Sequence, residues 1–92
     1  MLYCFICTDK PNAVDLRRAH RQAHIDYWHK AESIRIGGPF TSEDGETMSG
    51  SLLIVEAADH AAADELIAND PFVKVGLFAS IDIRPWKWTL KG

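Results

Sequence analysis

The sequence predicts an α+β fold in which four strands and two helices follow one another in the order βαββαβ. Three observations lead to this prediction. Four short apolar segments have strand length, two longer segments repeat their apolar residues at helical spacing, and no linker or internal repeat separates them. Because 92 residues are enough for only one domain, residues 1–92 are expected to form a single unit.

The first strand and the first helix are predicted at the start of the chain. Leu2–Thr8 is an apolar run rich in aromatic and branched residues, which favours a strand. A turn follows, and Asn12 is a suitable N-cap for a helix from Ala13 to about Ala31. The helix has an apolar stripe at steps of three and four residues, formed by Leu16, Ala19, His20, Ala23, Tyr27 and Ala31, while Arg17 lies away from its centre.

Two further strands are predicted in the middle of the chain. The second covers Ser33–Ile36 and ends at Gly37-Gly38-Pro39, a break where the backbone could approach another group closely. Asp44-Gly45 is a strong signal for a chain reversal. The third strand, Ser49–Ala57, is apolar on both faces at its centre.

The last helix and the last strand complete the pattern. Asp59 is expected to cap a helix from about His60 to Asn69, and the Asp70-Pro71 pair ends it, because a residue before proline avoids the helical region. A short irregular segment then leads to a fourth strand, Phe78–Trp88, in which apolar and polar residues alternate.

The compact arrangement of these elements is a four-stranded antiparallel sheet with both helices on one face, the ferredoxin-like topology. Two of the predicted strands are apolar on both sides, yet two helices cover only one face of the sheet. A second copy of the chain is the simplest cover for the other face, and face-to-face pairing would give a homodimeric α+β barrel.

Composition excludes several classes of protein. The chain has a net charge of −3 and lacks the basic stripe that nucleic-acid binders show, so no nucleic acid is expected as a partner. No apolar run reaches the length of a membrane span, and the N-terminus lacks the features of a signal peptide. A cytoplasmic location is therefore predicted, with Cys4 and Cys7 as buried apolar residues of a strand.

His24 and Asp70 are the candidate catalytic residues. His24 lies late in the first helix, and the predicted topology places that helix beside the end of the second, where Asp70 lies. A carboxylate that orients an imidazole makes a general acid/base pair. The alternatives are an ordinary histidine at a helix edge and a turn aspartate before proline.

Three further residues are candidates for substrate binding, and one pair for metal binding. Arg84 could meet an anionic group and Trp86 could stack on a planar ligand, whereas the alternative for both is a dimer interface. Gly38 could let a ligand approach the backbone, or could simply form a tight bend. His20 and His24 have a spacing that can bind zinc, with a third ligand from Asp70, Asp82 or His29, but no thiolate is placed to join them, so no metal is predicted.

Several short motifs together resemble those of the YciI-like family (the YCII-related domain), within the dimeric α+β barrel superfamily. They are Arg21-Gln22-Ala23-His24-Ile25, similar to the family's R-P-A-H-L, then Gly38-Pro39, Asn69-Asp70-Pro71-Phe72 and Arg84-Pro85-Trp86. The chain departs at Gln22, where proline is common. The resemblance implies a ferredoxin-like homodimer with an active site built on His24 and Asp70.

The sequence hypothesis for function is a cofactor-independent enzyme that uses the His24–Asp70 pair on a small metabolite. Proton shift, isomerisation or elimination fit best, since none of them needs a cofactor. The resemblance also implies muconolactone isomerase-like relatives, although a fold alone does not determine a reaction. The alternative hypothesis is a non-catalytic module for small-ligand binding or dimerisation.

Overall fold

A computed structural model describes residues 1–92 and shows an α+β fold with the predicted element order. The elements are β1 (Leu2–Asp9), α1 (Val14–Ala31), β2 (Ile34–Thr41), β3 (Met48–Glu56), α2 (His60–Ala68), α3 (Pro71–Lys74) and β4 (Phe78–Trp86). The strands form one sheet in the order β2-β3-β1-β4, and all neighbours are antiparallel. The predicted ferredoxin-like topology is thereby confirmed.

The two faces of the sheet have different surroundings. Alternate residues of the central strands β1 and β3 point toward the helices, and there they pack with Trp28, Ala63 and Ile67 in the main core. The opposite face, which carries no helix, is here called the open face. Cross-strand pairing places on it Cys4, Leu52, Ile54, Ile36, Phe40, Arg84 and Trp86.

The second strand is longer than the sequence predicts. Gly37, Gly38 and Pro39 do not break it but pair with Leu53, Leu52 and Ser51 of β3. The prediction of a break was therefore wrong. Proline is tolerated because β2 is an edge strand with one side free of ladder bonds. The predicted reversal at Asp44-Gly45 is confirmed, since Gly45 has a φ of +78° in the turn between β2 and β3.

The beginning of α1 also differs from the prediction. Asn12 has a φ of +58° and lies in the preceding turn, while Ala13 occupies the N-cap position without a side-chain hydrogen bond. Ala19 and Ala23 of the predicted stripe are exposed, whereas Arg17 and Trp28 are the buried residues of the helix. The stripe prediction placed Arg17 outside because a charged side chain is expected at the surface, whereas its ion pair with Asp9 allows it to be buried.

The chain after α2 is more ordered than predicted. Asp59 caps α2 by accepting a hydrogen bond from Ala62 N–H, as expected. After Asp70, residues expected to be irregular form α3, a single helical turn with Pro71 at its first position. None of the helices in the structure combines the length and apolar character that crossing a membrane requires; the cytoplasmic location stays a prediction.

Candidate functional site

A cavity of about 640 Å³ lies between α1 and the edge of the sheet formed by β2 and β3. Residues from α1 form one wall, and the backbone around Gly37 and Gly38 forms the other. His24 lines this cavity. The long α1 helix and the edge strand β2 therefore position the site together.

His24 and Asp70 contact each other directly. The Nδ1 atom of His24 lies 2.9 Å from both carboxylate oxygens of Asp70. The Asp70 side chain is fully buried, and that of His24 is 12% exposed. Because an ionised carboxylate only accepts hydrogen bonds, it selects the tautomer in which Nδ1 carries the proton. The lone pair of Nε2 is then the free basic position of the ring.

Other groups hold the Asp70 carboxylate in place. Trp28 Nε1 donates to Oδ2 over 2.9 Å, and the backbone N–H of Phe72 donates to Oδ1 over 2.9 Å. The second bond is an N-cap, since Asp70 precedes the first turn of α3. The imidazole of His24 stacks on the Phe72 ring, with centroids 4.1 Å apart. The histidine is thus oriented by a hydrogen bond at its edge and by packing on its face.

Arg17 forms a second buried polar cluster beside the pair, which sequence reasoning missed. Its Nε and Nη2 atoms donate to the two carboxylate oxygens of Asp9 over 2.7 and 2.9 Å. Nη2 also donates to Ser51 Oγ over 2.9 Å, and the guanidinium lies 4.7 Å from the centre of the Phe72 ring. The signal available in the sequence was the spacing of Arg17, His24 and Trp28, which brings them to one side of a helix.

The structure separates the predicted substrate-binding residues. Gly38 lines the same cavity as His24. Arg84 pairs with Asp82 at 2.9 Å on the open face, and the Trp86 ring lies 5.8 Å from that of Trp88. Neither Arg84 nor Trp86 lines the cavity. The structure therefore places Gly38 in the wall of the cavity that His24 lines and leaves the other two elsewhere.

The other histidine and cysteine candidates are those for metal binding and for nucleophilic chemistry. No group of three metal-ligating side chains is present, so His20 and His24 have no third ligand in the chain. Burial, aided by the negative charge of Asp70, raises the pKa of the Cys7 thiol to about 12. Burial also raises the pKa of Cys4 and of Tyr27. Thiols with raised pKa values are poor nucleophiles near neutral pH, so neither cysteine suits catalysis.

Taken together, the fold and the cavity define a ferredoxin-like α+β domain with a small-molecule-sized cavity and a carboxylate-oriented histidine in its wall. The sequence profile of the YCII-related domain matches residues 1–87. The chain belongs to this family, as the resemblance of its motifs predicted.

Similar proteins span nearly the whole chain. An uncharacterised protein of Haemophilus influenzae is 28% identical, and the protein YciI of Escherichia coli is 26% identical; both alignments cover 95% of this chain and 97% of the relative. Among solved structures, TftG of Burkholderia phenoliruptrix AC1100 is 35% identical with a TM-score of 0.85, covering 95% of this chain and 94% of that one. It is a 5-chloro-2-hydroxyhydroquinone dehydrochlorinase in complex with 2,5-dihydroxybenzoquinone.

A more distant similarity concerns the fold alone. An antibiotic biosynthesis monooxygenase is 16% identical, with a TM-score of 0.59 over 98% of this chain and all of that one. At this level of identity the arrangement of strands and helices is shared, and nothing about chemistry follows.

Proposed function

We propose that this protein is a cofactor-independent enzyme in which His24 acts as general acid/base on a small hydroxylated metabolite and Asp70 orients it. The observation that carries the proposal is the contact of His24 Nδ1 with both oxygens of a fully buried carboxylate, at the wall of a cavity. A histidine held at one nitrogen and free at the other is the arrangement that proton transfer requires.

The geometry supports a two-step role for the imidazole. Nε2 accepts a proton from the substrate, and the electron pair left behind forms a new double bond. Asp70 stabilises the resulting imidazolium through Nδ1–H. In an isomerisation His24 returns the proton to another substrate atom. In an elimination from a phenolic ring, that atom is the ring carbon that bears the leaving group, and removal of a second hydroxyl proton then expels the group with its electron pair. Both outcomes are balanced without a cofactor.

Similarity to TftG favours elimination from a phenolic substrate. That protein removes hydrogen chloride from a chlorinated hydroxyhydroquinone, as its name states, and it binds a small hydroxylated quinone. A planar six-membered ring with hydroxyl groups is a substrate class of the right size for the cavity beside His24.

An assay of chloride release from 5-chloro-2-hydroxyhydroquinone under anaerobic conditions tests the proposal. We expect turnover by the wild type and a loss of at least about 100-fold in kcat/KM for His24→Gln. His20→Gln is the matched control, since His20 lies one turn earlier on α1 and does not line the cavity. A wild-type rate equal to that in buffer, or full activity of His24→Gln, would contradict the proposal.

The second candidate is a non-catalytic module for small-ligand binding or dimerisation. One observation supports dimerisation, which is compatible with the enzyme as well as with the module. Phe40 and Trp86 of the open face are large apolar residues with exposures of 39% and 38%. Burial of such side chains against a second copy would be favourable, because roughly 25 cal/mol is gained per Å² of apolar surface removed from water. We therefore propose a homodimer that pairs through the open face, with a catalytic cavity on each subunit.

A further inference from the structure

The side chains around the cavity carry an unbalanced charge. Three arginines line it, Arg17, Arg21 and Arg35, together with His24 and His29, and no aspartate or glutamate does. The whole chain has the opposite balance, with 13 acidic and 10 basic residues. We propose that the cavity binds its substrate as an anion, with a negatively charged oxygen against Nη1 of Arg17. This inference rests on the proposed function, because it names the substrate class for the same site.

Arg17 is built as a fixed donor. The residue is only 4% exposed, and its Nε and Nη2 atoms are occupied by Asp9 and Ser51. Nη1 makes no hydrogen bond within the chain. Because every buried side-chain nitrogen and oxygen has a hydrogen-bond partner, Nη1 is not buried and is accessible. Because Arg17 lines the cavity, its free N–H groups are available to a molecule inside it.

Arg17 and His24 can act on one small molecule. The guanidinium of Arg17 and the imidazole of His24 both pack on the Phe72 ring, at 4.7 and 4.1 Å from its centre. A proton taken from a hydroxyl group by His24 leaves negative charge on the substrate. A donor that is already held in place stabilises this charge without reorganising.

The excess positive charge comes from the rim of the cavity. Asp9 offsets the charge of Arg17, which therefore contributes a directed donor more than net charge. Arg21 lies four residues later on α1 and has no ion pair, and Arg35 donates only to backbone carbonyls. Both are exposed and line the cavity. Their charges attract an anion and raise its association rate, an effect that salt weakens.

A purely structural role of Arg17 explains only part of its geometry. The bonds to Asp9 and Ser51 join α1 to β1 and β3 through Nε and Nη2. They leave Nη1 directed at accessible space, and they do not explain why all charged groups of the cavity are basic. An anionic ligand accounts for both.

The test compares two probes of nearly equal shape. 2,5-Dihydroxybenzoquinone is an anion at neutral pH, whereas its dimethyl ether, 2,5-dimethoxybenzoquinone, is uncharged. Dissociation constants are measured by equilibrium dialysis at pH 7 and low salt. We expect the wild type to bind the dihydroxy compound at least tenfold more tightly than the ether, and 0.5 M NaCl to reduce that preference.

The variants are chosen so that folding does not obscure the result. Removal of Arg17 alone would strand a buried carboxylate, so Arg17→Met is combined with Asp9→Asn, and thermal melting confirms that the double variant is folded. We expect the double variant to lose the preference for the anion. Arg21→Gln, an exposed position, should weaken anion binding at least threefold at low salt. Arg18→Gln is the matched control: this exposed arginine does not line the cavity, and its substitution should change nothing.

Two results would overturn the inference: the same affinity for both probes in the wild type, including no detectable binding of either, or an unchanged preference for the anion in the folded double variant. The result for His24 separates this test from that of the proposed function. If His24→Gln keeps the preference for the anion but also keeps full turnover, the proposed function fails and the anion site stands. If turnover depends on His24 but the wild type shows no preference, only the anion site fails.

Discussion

At the scale of single residues, Asp70 connects several parts of the structure. It accepts hydrogen bonds from His24, Trp28 and the Phe72 backbone, and it begins α3. The sequence, together with the family resemblance, was sufficient to predict that His24 and Asp70 lie close together, and the structure shows this contact; their catalytic role stays a proposal. The sequence was insufficient to predict the hydrogen bonds of Trp28 and Arg17, because these depend on which groups face the two side chains across the core.

Cys7 provides a pH-dependent prediction at this scale. Burial raises the pKa of its thiol from the ordinary 9.0 to about 12, so the folded state binds a proton that the unfolded state releases above pH 9. Below pH 9 both states keep the proton and this contribution to stability is complete. Between pH 9 and 12 the free energy of unfolding should fall, by up to about 1.4 kcal/mol per pH unit from this group.

Urea unfolding of the wild type and Cys7→Ala at pH 8, 9.5 and 10.5, under reducing conditions, measures this effect. Cys7→Ala should be less stable at pH 8 but should lose less stability on going to pH 10.5. Cys4→Ala is the comparison on the open face of the same strand: burial raises the pKa of this thiol too, so its removal should also reduce the alkaline loss of stability. An equal alkaline loss in the wild type and Cys7→Ala would contradict the assigned cause.

At the scale of elements, the errors of the sequence prediction share one origin. Gly37-Gly38-Pro39 was interpreted as a break because these residues favour loops, but pairing with β3 stabilises them as an edge strand. The segment after Asp70 was expected to be irregular, but a carboxylate cap and a proline at the first position are enough for one helical turn. In both places tertiary or capping contacts outweighed local propensity.

Two glycines of neighbouring strands should respond differently to an added methyl group. At Gly50 of β3 a Cβ atom would lie 2.3 Å from the carbonyl oxygen of Cys7, whereas at Gly38 of β2 it would meet nothing within 4 Å. We expect Gly50→Ala to lower the free energy of unfolding by about 1–3 kcal/mol, because the β1–β3 pairing must shift. Gly38→Ala should stay within about 0.5 kcal/mol of the wild type.

Chemical denaturation of the two glycine variants under identical conditions provides the comparison. Neither position has a positive φ, so differences in backbone strain do not complicate it. Equal stability of Gly50→Ala and Gly38→Ala would show that β1 and β3 are less closely paired than described.

At the scale of the whole molecule, the sequence was sufficient for the fold, because the order of elements allows few compact topologies. It also indicated that one sheet face would lack a cover, since the central strands are apolar on both sides. The cavity could not be predicted, because its shape depends on the separation between α1 and the edge strand β2, which no local pattern encodes. For Arg84 and Trp86 the sequence left a pocket wall and a dimer interface open, and the register of β4 places both on the open face.

The proposed homodimer makes a prediction about mass in solution. Light scattering after size-exclusion chromatography should give about twice the monomer mass of 10.3 kDa. Phe40→Asp, which places a charge on the open face, should raise the dimer dissociation constant at least tenfold, about 1.4 kcal/mol.

Val14→Asp is the control for this substitution. Val14 is 39% exposed, like Phe40, but it lies at the start of α1 and away from the open face. This variant should remain dimeric. A monomeric wild type, or equal dissociation constants for Phe40→Asp and Val14→Asp, would contradict pairing through the open face.

The central claim is that Asp70 fixes the tautomer of His24 so that Nε2 serves as the proton-transfer atom. Long-range ¹H–¹⁵N correlation spectra of the histidine rings test it most directly, because they distinguish protonated from unprotonated ring nitrogens. At a pH where the imidazole is neutral, we predict that His24 carries its proton on Nδ1 in the wild type and becomes a mixture of tautomers in Asp70→Asn. A His24 ring protonated on Nε2 in the wild type, or unaffected by Asp70→Asn, would contradict the account.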